Sequence, residues 1–209
     1  MNVVCLIADL VRSRDIEDRR NFQNELKRQL DELNATSSKH LLSPYTITLG
    51  DEFQAVYKDF MPVFTDISQI IWVVYPTRIR FSLSLDILST DINPNESLGM
   101  DGPAFYSARA QLNELKSYEK TIIAVSTKEN KNARLINKGL VMFSNEYETW
   151  NRTAVGCFIS LMRDKTIKDM KNIVNVKERM VYKAIANNHI KDYVDFLKLI
   201  PEFLDENAK

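Results

Sequence analysis

The chain has 209 residues, 44% of them apolar, 10% aromatic and 27% charged, which is ample material for a packed core and excludes a disordered chain. Lys and Arg total 28, as do Asp and Glu, so the net charge is zero and any attraction to nucleic acid must come from a local patch. No run approaches the roughly 18 consecutive apolar residues of a membrane span. The apolar stretch at residues 3–8 lacks the basic flank and length of a secretory signal, so the expected location is the cytoplasm. Cys5 and Cys157 each lie in an apolar run without a CxxC pair or clustered His, and both are expected as buried thiols rather than zinc ligands.

Residues 1–9 form a continuously apolar run ending at Asp9, the pattern of a central strand. Across residues 15–34, Phe22, Leu26, Leu30 and Leu33 recur at helical spacing among charged residues, predicting an amphipathic helix. Period-two alternation then places Tyr45, Ile47 and Leu49 on one face before Gly50-Asp51, with Phe53, Ala55 and Tyr57 after it, which reads as a β-hairpin. Pro62 opens a helix carrying Phe64, Ile67, Ile71 and Val74, which stops before Pro76. Residues 78–88 alternate strictly, with Ile79, Phe81, Leu83, Leu85 and Ile87 on one face, and predict a strand. A polar loop over 89–101 leads to a helix through Phe105, Ala108, Leu112 and Leu115, and 121–126 reads as a last strand. This order predicts an α+β sheet with helices mainly on one face, followed by an all-helical remainder. The division expected is 1–144 and 145–209.

Asp9 ends the first strand, and Asp51-Glu52 occupy the hairpin turn. If the two elements pair, the carboxylates meet at one end of the sheet, a set of hard oxygen ligands suited to Mg²⁺ and a nucleotide's phosphates. Each residue also has a plain structural reading: Gly50-Asp51 as a tight turn, and Asp9 as a loop-initiating or capping residue. Arg12 and Arg14, directly after Asp9, are placed to fork onto phosphates or to form a solvated basic loop. Arg78 and Arg80 lie on the polar face of their strand and are candidates to pair with neighbouring carboxylates. His40 and His189 have no evident partner and are expected at the surface.

Five segments, in this order, resemble the SatD family across most of residues 1–125. They are Ile7-Ala8-Asp9-Leu10-Val11-Arg12-Ser13-Arg14, Thr48-Leu49-Gly50-Asp51-Glu52-Phe53-Gln54, Ile79-Arg80-Phe81, Ser89-Thr90-Asp91-Ile92-Asn93-Pro94 and Asp101-Gly102-Pro103-Ala104. More distantly, the order of elements and Gly50-Asp51-Glu52-Phe53 resemble class III nucleotide cyclases and GGDEF diguanylate cyclases, which share a ferredoxin-like palm. That resemblance implies a nucleotide cyclase-like palm in which Asp9 and Asp51, with Glu52 as alternative, hold Mg²⁺. It also implies catalytic roles for Asp9, Asp51 and Arg109, with Arg12, Arg14, Gly50 and Tyr106 at the nucleotide, and a homodimer. Two positions depart from the cyclase pattern: Leu49 stands for the first Gly of the GGDEF signature, and Tyr106 stands near the place of an Asn that orients the nucleotide.

Residues 166–185 resemble a helix-turn-helix in which Met170, Val174, Val176, Val181 and Ile185 are apolar and Asn175 takes the turn position, where a left-handed backbone is required. This leaves Lys177, Arg179, Tyr182 and Lys183 outward on the second helix, placed for DNA. Six Lys/Arg against Asp169 and Glu178 over 165–183 give a local balance of +4. Three functions compete: a regulator whose palm binds a nucleotide or divalent metal and whose helical module binds DNA or a partner; a Mg²⁺-dependent nucleotide cyclase; and a degenerate palm acting as a dimerisation scaffold.

Overall fold

A computed structural model describes residues 1–117, 122–128 and 130–205. The sheet order is β2-β3-β1-β4-β5. At its centre is β1 (Asn2–Leu10), buried from its second residue onward, as a run apolar on both faces requires. It pairs antiparallel with β3 (Glu52–Tyr57) on one side and with β4 (Ile79–Ile87) on the other. β2 (Leu41–Leu49) closes the hairpin with β3, and β5 (Ile123–Thr127) runs parallel to β4 at the opposite edge. With α1 (Arg19–Thr36) joining β1 to β2 and α2 (Val63–Val74) joining β3 to β4, the first four strands have the βαββαβ order and antiparallel arrangement of a ferredoxin-like palm.

The start of α1 is set by Asp18, whose carboxylate accepts a hydrogen bond from Asn21 N at 3.1 Å. Residues Ser13–Asp15 form a 3₁₀ turn instead of joining the helix, and Arg12 enters that turn in the left-handed region with φ 54°. Leu26, Leu30 and Leu33 turn inward as their spacing predicts.

The two faces of β1 bury different partners. Val4, Leu6, Ala8 and Leu10 join the main core beneath α1 and α2. Val3, Cys5 and Ile7 meet Ala104, Phe105, Ala108 and Leu112 of α3 (Pro103–Ser117) in a smaller cluster. Helices therefore lie on both faces of the sheet, not mainly on one, because a strand apolar on both sides needs a cover on each. Cys5 and Cys157 are both buried thiols, and burial pushes the Cys157 pKa up to about 11.

The helical remainder comprises α4 (Asn130–Tyr147), α5 (Arg152–Met162), α6 (Ile167–Val174), α7 (Glu178–Asn187) and α8 (Ile190–Asp205). The expected division at 144/145 falls inside α4, and the main core continues from the sheet through α4 and α5 to α8. Phe143 is central to that continuity, with its ring 5.8 Å from Trp150, 5.4 Å from Phe158 and 5.7 Å from Tyr193. Asn137 pins α4 beside β5, donating to Val125 O and accepting from Val125 N, each at 2.8 Å. Thr121, at the start of the expected last strand, and Glu206 lie outside the described residues.

Candidate functional site

Strand register brings the first charges together. Asp9 stands opposite Glu52 on β3 and opposite Arg80 on β4, so the three form a row across the face that α3 covers. Asp9 is 9% exposed and Glu52 6%. From α3, Arg109 and Lys116 reach the same row; seven positions apart, they lie on one helical face.

Each carboxylate has its own cation. Arg109 forks onto Glu52, with Nη2 2.8 Å from Oε1 and Nη1 bonded to Oε2, and the Thr48 hydroxyl donates to Glu52 Oε1 at 3.0 Å. Lys116 Nζ lies 3.2 Å from Asp9 Oδ2. Arg80 Nη1 is 3.7 Å from Asp9 Oδ1, which is too long for a hydrogen bond, and Oδ1 is buried without one. Burial raises the Asp9 pKa above the usual carboxylate value against the pull of Lys116 and Arg80. Burial acts in the same direction on Glu52, but there the hydrogen bonds and charge of Arg109, with Thr48, outweigh it and hold the group below its ordinary value.

Asp51 comes to the same end of the sheet and fastens the hairpin tip to the end of β1. Its carboxylate accepts from Ser13 Oγ at 2.6 Å and its carbonyl accepts from Leu10 N at 2.9 Å. The three acidic residues named from the sequence thus lie at one end of the sheet, with Asp51 held by a hydroxyl and Glu52 by a guanidinium. Among the described residues, no group of three or more His, Cys, Asp or Glu is arranged to hold a metal ion.

Beside this row a cleft of about 600 Å³ opens at the end of β1, lined by four cations, Arg12, Arg78, Arg80 and Lys116, and by the carboxylate residue Asp15. Arg78 also forms an ion pair with Glu148, its Nε 2.8 Å from Oε1 but not aligned for a hydrogen bond. Arg14 is exposed on the 3₁₀ turn and does not line the cleft. Gly50 is exposed at the hairpin tip, where its carbonyl accepts from Gln23 Nε2 at 3.0 Å. Tyr106 lies in the first turn of α3 and donates to Asp101 Oδ2 at 2.6 Å, apart from the charged row. Lys116 was missed by sequence reasoning; the signal was there, since it follows Arg109 by two helical turns. His40 has a partner after all, with Nδ1 2.8 Å from Asp59 Oδ1.

At the other functional candidate, α6 and α7 are joined through Asn175 at φ 50°, the left-handed conformation the turn requires. A capping box between Thr166 and Asp169 starts α6. Val181 and Ile185 of α7 point inward, while Lys177, Arg179, Tyr182 and Lys183 are exposed.

No helix among the described residues is long and apolar enough to cross a membrane. No curated protein matches the chain. Among solved structures, a bacterial light-regulated adenylyl cyclase is similar at 14% identity and a TM-score of 0.44; the match covers 60% of this chain and 43% of the cyclase, so the chain spans less than half of that protein's length. The family model described as SatD family matches residues 3–193, and the chain belongs to the SatD family.

Proposed function

We propose that this protein is a regulator that takes a phosphate-bearing ligand, a nucleotide foremost, in the cleft at the end of β1 and engages DNA through α6 and α7. The observation that carries the reading is the cleft wall, in which Arg12, Arg78, Arg80 and Lys116 converge on about 600 Å³. Guanidinium groups fork onto phosphate oxygens and ammonium groups add point charge. In this reading the protein's own cations neutralise the ligand. The test is thermal stabilisation by each nucleoside triphosphate and by inorganic triphosphate, with and without Mg²⁺. A ligand at a hundredfold excess over its Kd adds about 2.7 kcal/mol, and the Arg80→Gln, Lys116→Gln double variant is expected to lose the shift. No shift with any of these ligands refutes the reading.

A second reading, a Mg²⁺-dependent enzyme acting on a nucleoside triphosphate, is favoured by Asp9 Oδ1, which is buried without a hydrogen bond. Asp9 would hold the ion with Asp51 or Glu52, and Arg109 would stabilise developing charge. It ranks second because Arg80, Lys116 and Arg109 already stand against these carboxylates. Turnover of a triphosphate that requires Mg²⁺ and vanishes in Asp9→Ala would establish it.

The DNA half rests on Lys177, Arg179, Tyr182 and Lys183 along the exposed side of α7, with Lys168 and Lys171 on α6. None of these cations makes an ion pair among the described residues. Arg179→Ala and Lys183→Ala are each expected to weaken binding to duplex DNA and to flatten its salt slope by about 1 for each phosphate no longer neutralised; an unchanged slope refutes this half.

A further inference from the structure

We propose that the face formed by α4 and α8 binds the same face of a second copy of this chain, related by a two-fold axis. On α4, Leu135 is 71% exposed and Met142 64%; on the neighbouring α8, Leu199 is 58% exposed and Phe203 48%. Between the two helices lies a groove of about 550 Å³ floored by Ile136, Gly139, Phe196 and Ile200. Gly139 keeps the floor low, since a Cβ there would stand 2.3 Å from the Phe196 ring. Exposed apolar side chains gathered in this way mark an interaction surface rather than scattered surface residues.

The charges on the two helices identify the occupant. The exposed side of α4 carries Arg134 and Lys138, and that of α8 carries Asp195 and Glu202, with Lys191 and Asp192 in its first turn offsetting each other, so α8 is acidic on balance. None of Arg134, Lys138, Asp195 and Glu202 forms an ion pair within the chain among the described residues. One helix of the face is therefore basic and the other acidic around a shared apolar centre, and such a face is complementary to itself. Rotating a second copy by 180° sets the α4 of each chain against the α8 of the other, pairs unlike charges twice, and seats Leu135 and Leu199 in the facing groove. An unrelated partner would have to match both stripes, whereas a second copy does so by symmetry. The surface is distinct from the cleft at β1 and from the exposed side of α7.

The test is sedimentation velocity of the full chain across roughly 1–100 µM, a range that brackets micromolar self-association. The wild type is expected to sediment as a dimer in the upper part of the range, and Leu135→Glu and Leu199→Glu as monomers that melt like wild type at dilutions where wild type is itself monomeric, since both sites are exposed in the single chain. Reversing the α4 charges (Arg134→Glu with Lys138→Glu) or the α8 charges (Asp195→Lys with Glu202→Lys) is expected to weaken self-association roughly tenfold or more. Mixing the two reversed chains is expected to restore a dimer containing one of each. A wild type monomeric throughout, a dimer that persists in Leu135→Glu and Leu199→Glu, or reversed chains that do not recombine would overturn the proposal.

Discussion

Replacing Asp9 by Asn removes one buried negative charge at nearly constant volume, and the two readings of the charged row predict opposite results. In wild type, Asp9 draws on Lys116 at 3.2 Å and Arg80 at 3.7 Å, the two cations that face both the carboxylate and the cleft. A phosphate held on their far side would stand about 6 Å from the carboxylate. Repulsion between unit charges at that distance is about 0.7 kcal/mol at the dielectric of water and about 2.8 kcal/mol at an effective value near 20. The Lys116 side chain is 43% exposed, so solvent screening favours the lower part of this range, about 1 kcal/mol. Asp9→Asn is therefore expected to bind triphosphates roughly fivefold more tightly than wild type, without requiring Mg²⁺. Isothermal titration with and without Mg²⁺ measures this directly. Binding that needs Mg²⁺ in wild type and is lost in Asp9→Asn would refute the reasoning and make Asp9 a metal ligand.

Three further outcomes follow from buried groups. Arg109→Met leaves the Glu52 side chain, only 8% exposed, without its guanidinium. The usual cost of breaking a buried pair falls to about 2 kcal/mol once the partial exposure of Arg109 is allowed for. Because the folded Glu52 pKa lies below its ordinary value, that stability is present above about pH 4.5 and lost as the pH falls through the folded value, so urea unfolding at neutral and acid pH separates the cases. Asp66 accepts hydrogen bonds from Tyr57 OH at 2.7 Å and Ser37 Oγ at 3.0 Å, and burial pushes its pKa from 3.8 to about 6. A raised acid pKa favours the folded state below the unfolded value, so wild type should lose about 2–3 kcal/mol relative to Asp66→Asn as pH rises from about 4 through 6, then no more. Parallel curves across that window would disprove it. Gly102 has φ 139°, and a Cβ there would stand 2.5 Å from Ser89 N and 2.9 Å from Leu88 Cα. Because backbone atoms cannot turn aside, Gly102→Ala is expected to cost about 2 kcal/mol or more in thermal unfolding.

Much of the palm was legible because periodicity is a property of one element at a time. The apolar run of β1, the alternation of β4 and the break at Gly50-Asp51 each announced a strand or a turn, and Asn175 announced its left-handed turn. The helical stripe of α4, with Ala133, Ile136, Leu140, Phe143 and Tyr147 all buried, carries an equally local signal, and the boundary expected at 144/145 cuts across it. Alternation was less informative at the sheet edge. Tyr45, Ile47 and Leu49 share a face on paper, yet Ile47 is 39% and Leu49 65% exposed, because β2 is an edge strand whose pairing with β3 shifts register and nothing in a period-two pattern states where the cover over a sheet ends.

The sequence by itself determined the strands of the palm and its first three helices, the burial of Cys5 and Cys157, and the outward basic side of α7, while the meeting of Asp9 with Asp51 and Glu52 depended on β1 pairing with β3. Only the tertiary structure decided which charges face which. Arg109 and Glu52 stand 57 positions apart and meet because α3 crosses to the face of the sheet that its neighbours α1 and α2 leave open. Arg80 meets Asp9 through the pairing register of β1 and β4, and a slip of one residue would send one of them to the opposite face. The physical reason is that backbone geometry writes its period into each element locally, whereas the partner of a buried charge is set by register and crossing, which belong to pairs of elements distant in the chain.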